Sequence, residues 1–352
     1  MKATALGKSQ KAVLYADIGH PELTDTELSK IVGISPGRIS TIRSQLIHDG
    51  FYREIKLPSF DLLGFEGIGV ISAEMSESYL LDIQAQKKMI DDLGKNPSLI
   101  YAVQNGDQLL FIAAFPKLTS FEAFSDDVFE VCCRISNNDC DVIVASFPME
   151  ISKIHSLWDF SSLLHDKFAL NISQQRRMLS YGKVSHRPEL SNDDVTILDM
   201  LLREPVANDI NLAKKAGVSL STFRRIKERI MSQGLCRRAF IPEVSSLGFE
   251  LCVFSLLRLN PTRPKLGEVD HLRSLITPWP FLMMTRKSKA FIGYCFSDYT
   301  SYSKFSSSVL SDLKKESVHM DVIKTIYCST ASMREIKKLD FSGVLTPLLH
   351  NR

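Results

Sequence analysis

The chain has 352 residues, 44% of them apolar, with a formal net charge of +3. That length suits two to four compact domains, and the near balance of charge means that basic surfaces must be sought locally. Seven cysteines without a regular framework, no apolar run of membrane-spanning length and no signal-like N-terminus lead to the expectation of a reduced, soluble, cytoplasmic protein with no membrane partner.

The first predicted helix covers Lys11 to Ile18. A second begins at Thr24-x-x-Glu27, a capping-box signature, and carries Leu28, Ile31 and Val32 on one side. Gly33 supplies a sharp turn. Ser35 and Pro36 then open a third helix whose buried stripe is Ile39, Ile42 and Leu46, ended by Gly50. Phe51–Ile55 reads as a short strand. Helix, turn, capped helix and basic wing predict a winged helix-turn-helix. Beyond it the pattern predicts a strand at Gly67–Met75, a helix at Leu80–Leu93, strands at Ser98–Val103 and Gln108–Phe115 around an Asn105-Gly106-Asp107 turn, a helix at Phe121–Cys133 and a strand at Asp141–Phe147. That order, β-α-β-β-α-β, is the ferredoxin-like split unit. A short helix is expected around Ile154–Leu164.

Residues 166–192 read as a linker. They carry Gln174-Gln175-Arg176-Arg177, either a bland connector or a basic arm. The pattern then starts again. Residues 28–65 align without a gap on 212–249, with eleven identities in 38 positions, among them Gly33 with Gly217, Ser35 with Ser219, Ile42 with Ile226 and Gly50 with Gly234. Later blocks keep the same order, ending with Asp159-Phe160-Ser161 on Asp340-Phe341-Ser342. The second copy predicts helices at Val195–Arg203 and from Asn208, a third helix with Phe223, Ile226 and Ile230 buried, a strand at Leu235–Ala239, a further strand at Leu251–Leu259 and a helix at Leu266–Ile276. The expected fold class is α+β: two winged helix-turn-helix domains (1–60 and 193–243) and two ferredoxin-like modules (61–165 and 244–352), in tandem.

On the residues Asp194-x-x-Ile197-Leu198, Leu212-Ala213-Lys214, Gly217-Val218-Ser219, Gly234, Pro242 and Leu247-Gly248-Phe249, the chain resembles the leucine-responsive/asparagine-synthetase regulator (Lrp/AsnC) family. The resemblance implies a DNA-binding transcription regulator, not an enzyme, controlled by a small effector such as an amino acid. Two departures stand out. Ile226-Lys227 and Ile42-Arg43 reverse the family's usual order in the third helix. The glycine turn between the middle strands survives as Gly106-Asp107, the nominated effector site, but is Lys287-Ser288-Lys289 in the second copy.

Double-stranded DNA is the expected partner. With the apolar stripe buried, Ser219, Ser221, Thr222, Arg224, Arg225, Lys227 and Arg229 are candidate contacts, with Arg237 and Arg238 on the wing. Residues 203–238 hold nine Lys/Arg against three Asp/Glu, a net of +6, whereas 24–56 hold five against four, a net of +1. The first copy offers Ser35, Arg38, Ser40, Thr41, Arg43 and Arg53. In the resembling family two chains pair through their modules; here the duplication implies an intramolecular pseudo-dimer, with homo-oligomers as a further expectation.

No cofactor or metal is expected. Cys132, Cys133 and Cys140 match no zinc spacing. A second reading stands beside the regulator. Siroheme decarboxylases also look like this family, with the module turned to haem handling. Such an enzyme needs histidine and arginine grouped on the sandwich strands. The middle strands carry neither in the first copy (Ile100, Tyr101, Val103, Leu110, Phe111, Ile112), and only Arg286 in the second.

Overall fold

The computed structural model describes residues 6–76, 79, 82–137, 139–170, 187–259, 276–315 and 320–346. It is a mixed α/β structure with antiparallel sheets, and it divides into two compact units that do not follow chain order. Unit 1 gathers Met1–Glu54, Ser152–Ser180 and Arg238–Ala331; unit 2 gathers Ile55–Ile151, Tyr181–Arg237 and Ser332–Arg352.

Unit 1 opens with α1 (Lys8–Gly19), α2 (Asp25–Val32) and α3 (Pro36–His48). The reciprocal cap at Thr24 forms: Glu27 Oε2 accepts from the Thr24 amide at 2.8 Å. Gly33 ends α2 at φ +68°, a conformation that favours glycine. Ser35 takes the N-cap backbone conformation, but its side chain makes no cap hydrogen bond. Leu14, Leu28, Ile39 and Leu46 form the buried seam between these helices. The same unit holds a five-stranded sheet in the order β11 (Met320–Ser329), β8 (Leu251–Leu259), β10 (Lys289–Phe296), β9 (Leu282–Arg286), β6 (Ser152–Leu157). Tyr294 and Phe296 of β10 pack on Phe305 and Tyr302 of α10 (Tyr299–Lys315), so α10 covers one face of this sheet.

The sequence reading placed a helix over Ile154–Leu164. The structure instead has strand β6, the turn at Trp158–Phe160 and then helix α6 (Ser161–Phe168). The apolar residues of 152–157 fit a strand once an edge is present to receive them, and that edge is β9, supplied from far along the chain. The predicted helix at Leu266–Ile276 and the basic arm at Gln174–Arg177 lie outside the described residues.

Unit 2 has the matching sheet: β5 (Cys140–Pro148), β2 (Gly67–Met75), β4 (Gln108–Phe115), β3 (Leu99–Asn105), β12 (Arg334–Lys337). Its first four strands, with α4 (Ile83–Gly94) and α5 (Leu118–Ile135), follow the predicted β-α-β-β-α-β order. The helices close a core of Ile71, Met89, Phe111, Phe115, Phe121, Phe124 and Val128. Gly69 is required there, since a Cβ at that position would lie 1.9 Å from the Phe121 ring. The strand β12 joins β3 at the edge, as β6 joins β9 in unit 1. Unit 2 also holds α7 (Asn192–Arg203), α8 (Asp209–Ala216) and α9 (Leu220–Ser232), capped by Ser191, Asn208 and Ser219. The strands β1 (Tyr52–Pro58) and β7 (Cys236–Pro242) pair as a two-stranded ribbon. No described helix is long and apolar enough to cross a membrane.

Candidate functional site

The three-helix sets bind most of their candidate cations internally. In unit 1 the Arg43 guanidinium donates to both Asp17 carboxylate oxygens at 3.0 Å and to Asp25 at 2.5 Å. Asp17 is buried and also accepts from the Tyr52 hydroxyl at 2.6 Å. In unit 2 Lys227 donates to Asp209 at 2.7 Å, and Arg224 lies 3.6 Å from the same carboxylate. Arg229 pairs with Asp194. Burial pushes the Asp194 pKa up, but hydrogen bonds from Ser191 and Arg229 more than reverse this and leave it below the usual range. On β7 Arg238 bonds Glu54 at 2.7 Å and lies 4.7 Å over the Phe240 ring. Ser219 caps α9 and meets the Ser221 and Thr222 hydroxyls at 2.9 Å. Thr41 turns back on the Gly37 carbonyl. Arg38, Ser40, Arg53 and Arg225 are exposed, and Arg237 is half-buried.

The effector candidates sit where the hairpin signal placed them. Gly106 has φ +61°, and its carbonyl accepts from Gln104 Nε2. The Asp107 carbonyl accepts from the Met75 amide.

A different cluster emerges from the strand register of unit 1. Asp321 on β11 faces Arg258 on β8, Arg258 faces Lys289 on β10, Lys289 faces Arg286 on β9, and Arg286 faces Ser152 on β6. Directly opposed residues share a face. Three cations and a serine therefore stand abreast, with a single carboxylate at the end of the row. Alternation puts them on the face away from α10, the face that carries Phe291 rather than Tyr294. Arg258 is exposed, while Arg286 and Lys289 are half-buried. Ser152 is buried, and its Oγ, like the Arg286 Nε, has no hydrogen-bond partner among the described residues. Burial, with Arg286 and Arg258 nearby, holds the Lys289 pKa below the ordinary lysine value.

One residue from Ile154, the β6–β9 register slips, and His155 bonds Thr285 Oγ1 at 2.7 Å. Its ring meets the edge of Trp279 at 6.5 Å. Thr285 lies one residue from Arg286, so this histidine serves the opposite face from the cation row. Trp158, which follows β6, has φ +53°, rare for a bulky residue. Among the described residues there is no cluster that could hold a metal ion.

Sequence reasoning missed this row. It noted Arg286 and the Lys287-Ser288-Lys289 turn, but Arg258 and Ser152 join them only through the register. It also took His155 for part of a closing helix; β6 brings a histidine to the sheet that carries Arg286.

No family model matches the chain, and no curated protein does. Solved structures do. The siroheme decarboxylase NirDL aligns over 98% of this chain and 98% of its own, at 14% identity and a TM-score of 0.50. The same enzyme in co-complex with an iron-uroporphyrin III analogue aligns over 98% and 99%, at 14% identity and a TM-score of 0.49. An AsnC family transcriptional regulator from Agrobacterium tumefaciens aligns over 40% of this chain and 89% of its own, at 17% identity and a TM-score of 0.33. The fold that runs the whole length of the chain is thus one carried by an enzyme. This corrects the expectation of a DNA-binding regulator without catalytic activity. The internal ion pairs supply a physical reason: carboxylates already occupy Arg43, Lys227, Arg229 and Arg238.

Proposed function

We propose that this chain is a decarboxylase acting on a carboxylate-rich tetrapyrrole of the siroheme class, with the unit 1 cation row holding the acid arms of the substrate. One observation carries the reading: Arg258, Lys289 and Arg286 abreast, with the Arg286 Nε and Ser152 Oγ buried and without a hydrogen-bond partner among the described residues. Like charges directly opposed across strands repel, by roughly 0.2–1 kcal/mol a pair. A buried polar atom without a partner costs about 1–3 kcal/mol more. A polycarboxylate relieves both at once, because guanidinium forks match carboxylate geometry.

Decarboxylation breaks the bond between a carboxyl group and its carbon, and the carbon takes up a proton. The tetrapyrrole itself, with its iron, supplies the electron sink when bound. The protein holds the neighbouring carboxylates and fixes which arm reacts. Arg286 and Arg258 are suited to clamp two acid arms, and the Ser152 hydroxyl to donate a further hydrogen bond. Lys289 parts with its proton more readily than an ordinary lysine, and that suits a donor to carbon. Under this reading the sequence is a tandem of two copies. The winged helix-turn-helix units at 1–60 and 193–243 then act as scaffold, and the modules at 61–165 and 244–352 carry the two sheets.

The test is anaerobic incubation of the purified chain with siroheme, followed by mass spectrometry of the tetrapyrrole. Loss of carbon dioxide from its side chains is the expected result. A tetrapyrrole of unchanged mass after prolonged incubation overturns the reading.

A further inference from the structure

All seven cysteines are free, and two pairs of sulfurs touch: Cys133 and Cys140 at 3.1 Å in unit 2, Cys252 and Cys295 at 3.2 Å in unit 1. The pairs differ in access. Cys252 and Cys295 are buried, facing each other across β8 and β10. Cys133 and Cys140 are both half-buried. Cys133 lies in the last turn of α5 and Cys140 opens β5. Between them the Ser136 amide bonds the Cys132 carbonyl and the Asp139 amide bonds the Ser136 carbonyl, so a short hydrogen-bonded turn holds the two thiols together. Neither the proposed reaction nor the main core uses Cys133; its neighbour Cys132 is the core residue.

We propose that Cys133 and Cys140 form a reversible thiol–disulfide site that reacts with small disulfides of the glutathione class. A disulfide needs its sulfurs about 2.05 Å apart, roughly 1 Å closer than here. The Cys133 thiolate attacks one sulfur of the small disulfide, forming a mixed disulfide and expelling one thiolate. The Cys140 thiolate then attacks the Cys133 sulfur, closing the protein disulfide and expelling the second. Two electrons pass from the cysteines to the oxidant, and their two protons end on the two small thiols.

The order follows from the surroundings. Burial, the contact with Cys133, and Asp139 and Asp141 push Cys140 up to about 11. Once Cys133 is in the mixed disulfide, it carries neither charge nor proton, and Cys140 ionises more readily. The closed form ties the end of α5 to the start of β5. Arg134, Ile135 and Asn137 in this stretch line a cavity of about 410 Å3 that also touches Met89 and Asp92 of α4. The clip therefore fixes one wall of that cavity.

The test uses the full chain, incubated with oxidised glutathione, then alkylated, digested and mapped by mass spectrometry. The expected product is a Cys133–Cys140 disulfide, with two reduced glutathione molecules released for each, while Cys252 and Cys295 stay reduced. Cys140→Ser is expected to trap glutathione on Cys133, and Cys133→Ser to abolish the linkage. Glutathione left on Cys133 of the unaltered chain, or a Cys252–Cys295 disulfide forming as fast, overturns the proposal. None of these outcomes depends on decarboxylation.

Discussion

The two sheets share strand connectivity, yet the same row is built from opposite charges. In unit 1 it reads Asp321, Arg258, Lys289, Arg286, Ser152. In unit 2 the corresponding row is Asp141, Glu74, Gln108, Asn105. Arg334 on β12 faces Gln104, one residue out of step and so on the other face. Backbone alone therefore does not set the two sheets apart; four side chains on four strands do. A polycarboxylate finds three cations at one sheet and two carboxylates at the other, so the reading assigns it a single home.

The largest effect expected is from reversing the charge of the unit 1 row. Arg286→Glu combined with Lys289→Glu is expected to lower the rate of siroheme decarboxylation at least ~100-fold, since electrostatic clamps of this kind contribute a few kcal/mol. Asn105→Ala with Gln108→Ala, at the matching places in unit 2, is expected to leave the rate unchanged. Equal losses from both pairs break the comparison.

Next comes the pH dependence of affinity. The folded state holds Lys289 below its unfolded pKa, so it sheds this proton first as pH rises. Binding of a polycarboxylate needs the ammonium, and affinity is expected to fall as pH rises through that lowered value. Stability of the free protein moves the other way over the window between the folded and unfolded values, rising with pH because the unfolded chain binds more protons there. Lys289→Met is expected to weaken binding about tenfold, in line with one charge-assisted hydrogen bond, and to flatten the pH profile in an absorbance titration. A slope that survives in the variant assigns the titration to another group.

Ser152→Ala removes one neutral donor, and a loss of affinity of roughly threefold to tenfold is expected in the same titration. The smallest effect belongs to unit 2. Asp141 directly opposes the like charge of Glu74, so Asp141→Asn is expected to stabilise the protein by about 0.5 kcal/mol in denaturant melts without altering decarboxylation. Destabilisation in that variant overturns the repulsion between the two carboxylates.

Local chemistry made much of the fold legible. Thr24, Asn208 and Ser219 announce their helices because a cap is a contact between near neighbours. The strands around Gly106 follow from a turn that demands positive φ. What stayed hidden is non-local. Nothing in Ser152–Leu157 says that its partner is Leu282–Arg286, and nothing in Arg334–Lys337 names Leu99–Asn105. The cation row is illegible for the same reason: its members lie on four strands and meet only by register. The basic third helices misled in the opposite direction. Counting charge showed a positive face but not Asp17, Asp25, Asp194 and Asp209 waiting beneath it.

The strands β6 and β12 also govern how the chain is made. Each unit takes its edge strand from the other half of the sequence, so synthesis cannot finish either unit early. The sheet of Ile55–Ile151 emerges from the ribosome with β3 as a bare edge and waits for Ser332–Arg352 to cover it. Likewise α1 to α3 and β6 wait for Arg238–Ala331. Contacts this distant slow folding, and an uncovered edge in the meantime invites pairing with a neighbouring nascent chain. A polypeptide stopped before β11 holds neither unit whole, so resistance to protease should appear only once β11 and β12 have been made, rather than domain by domain.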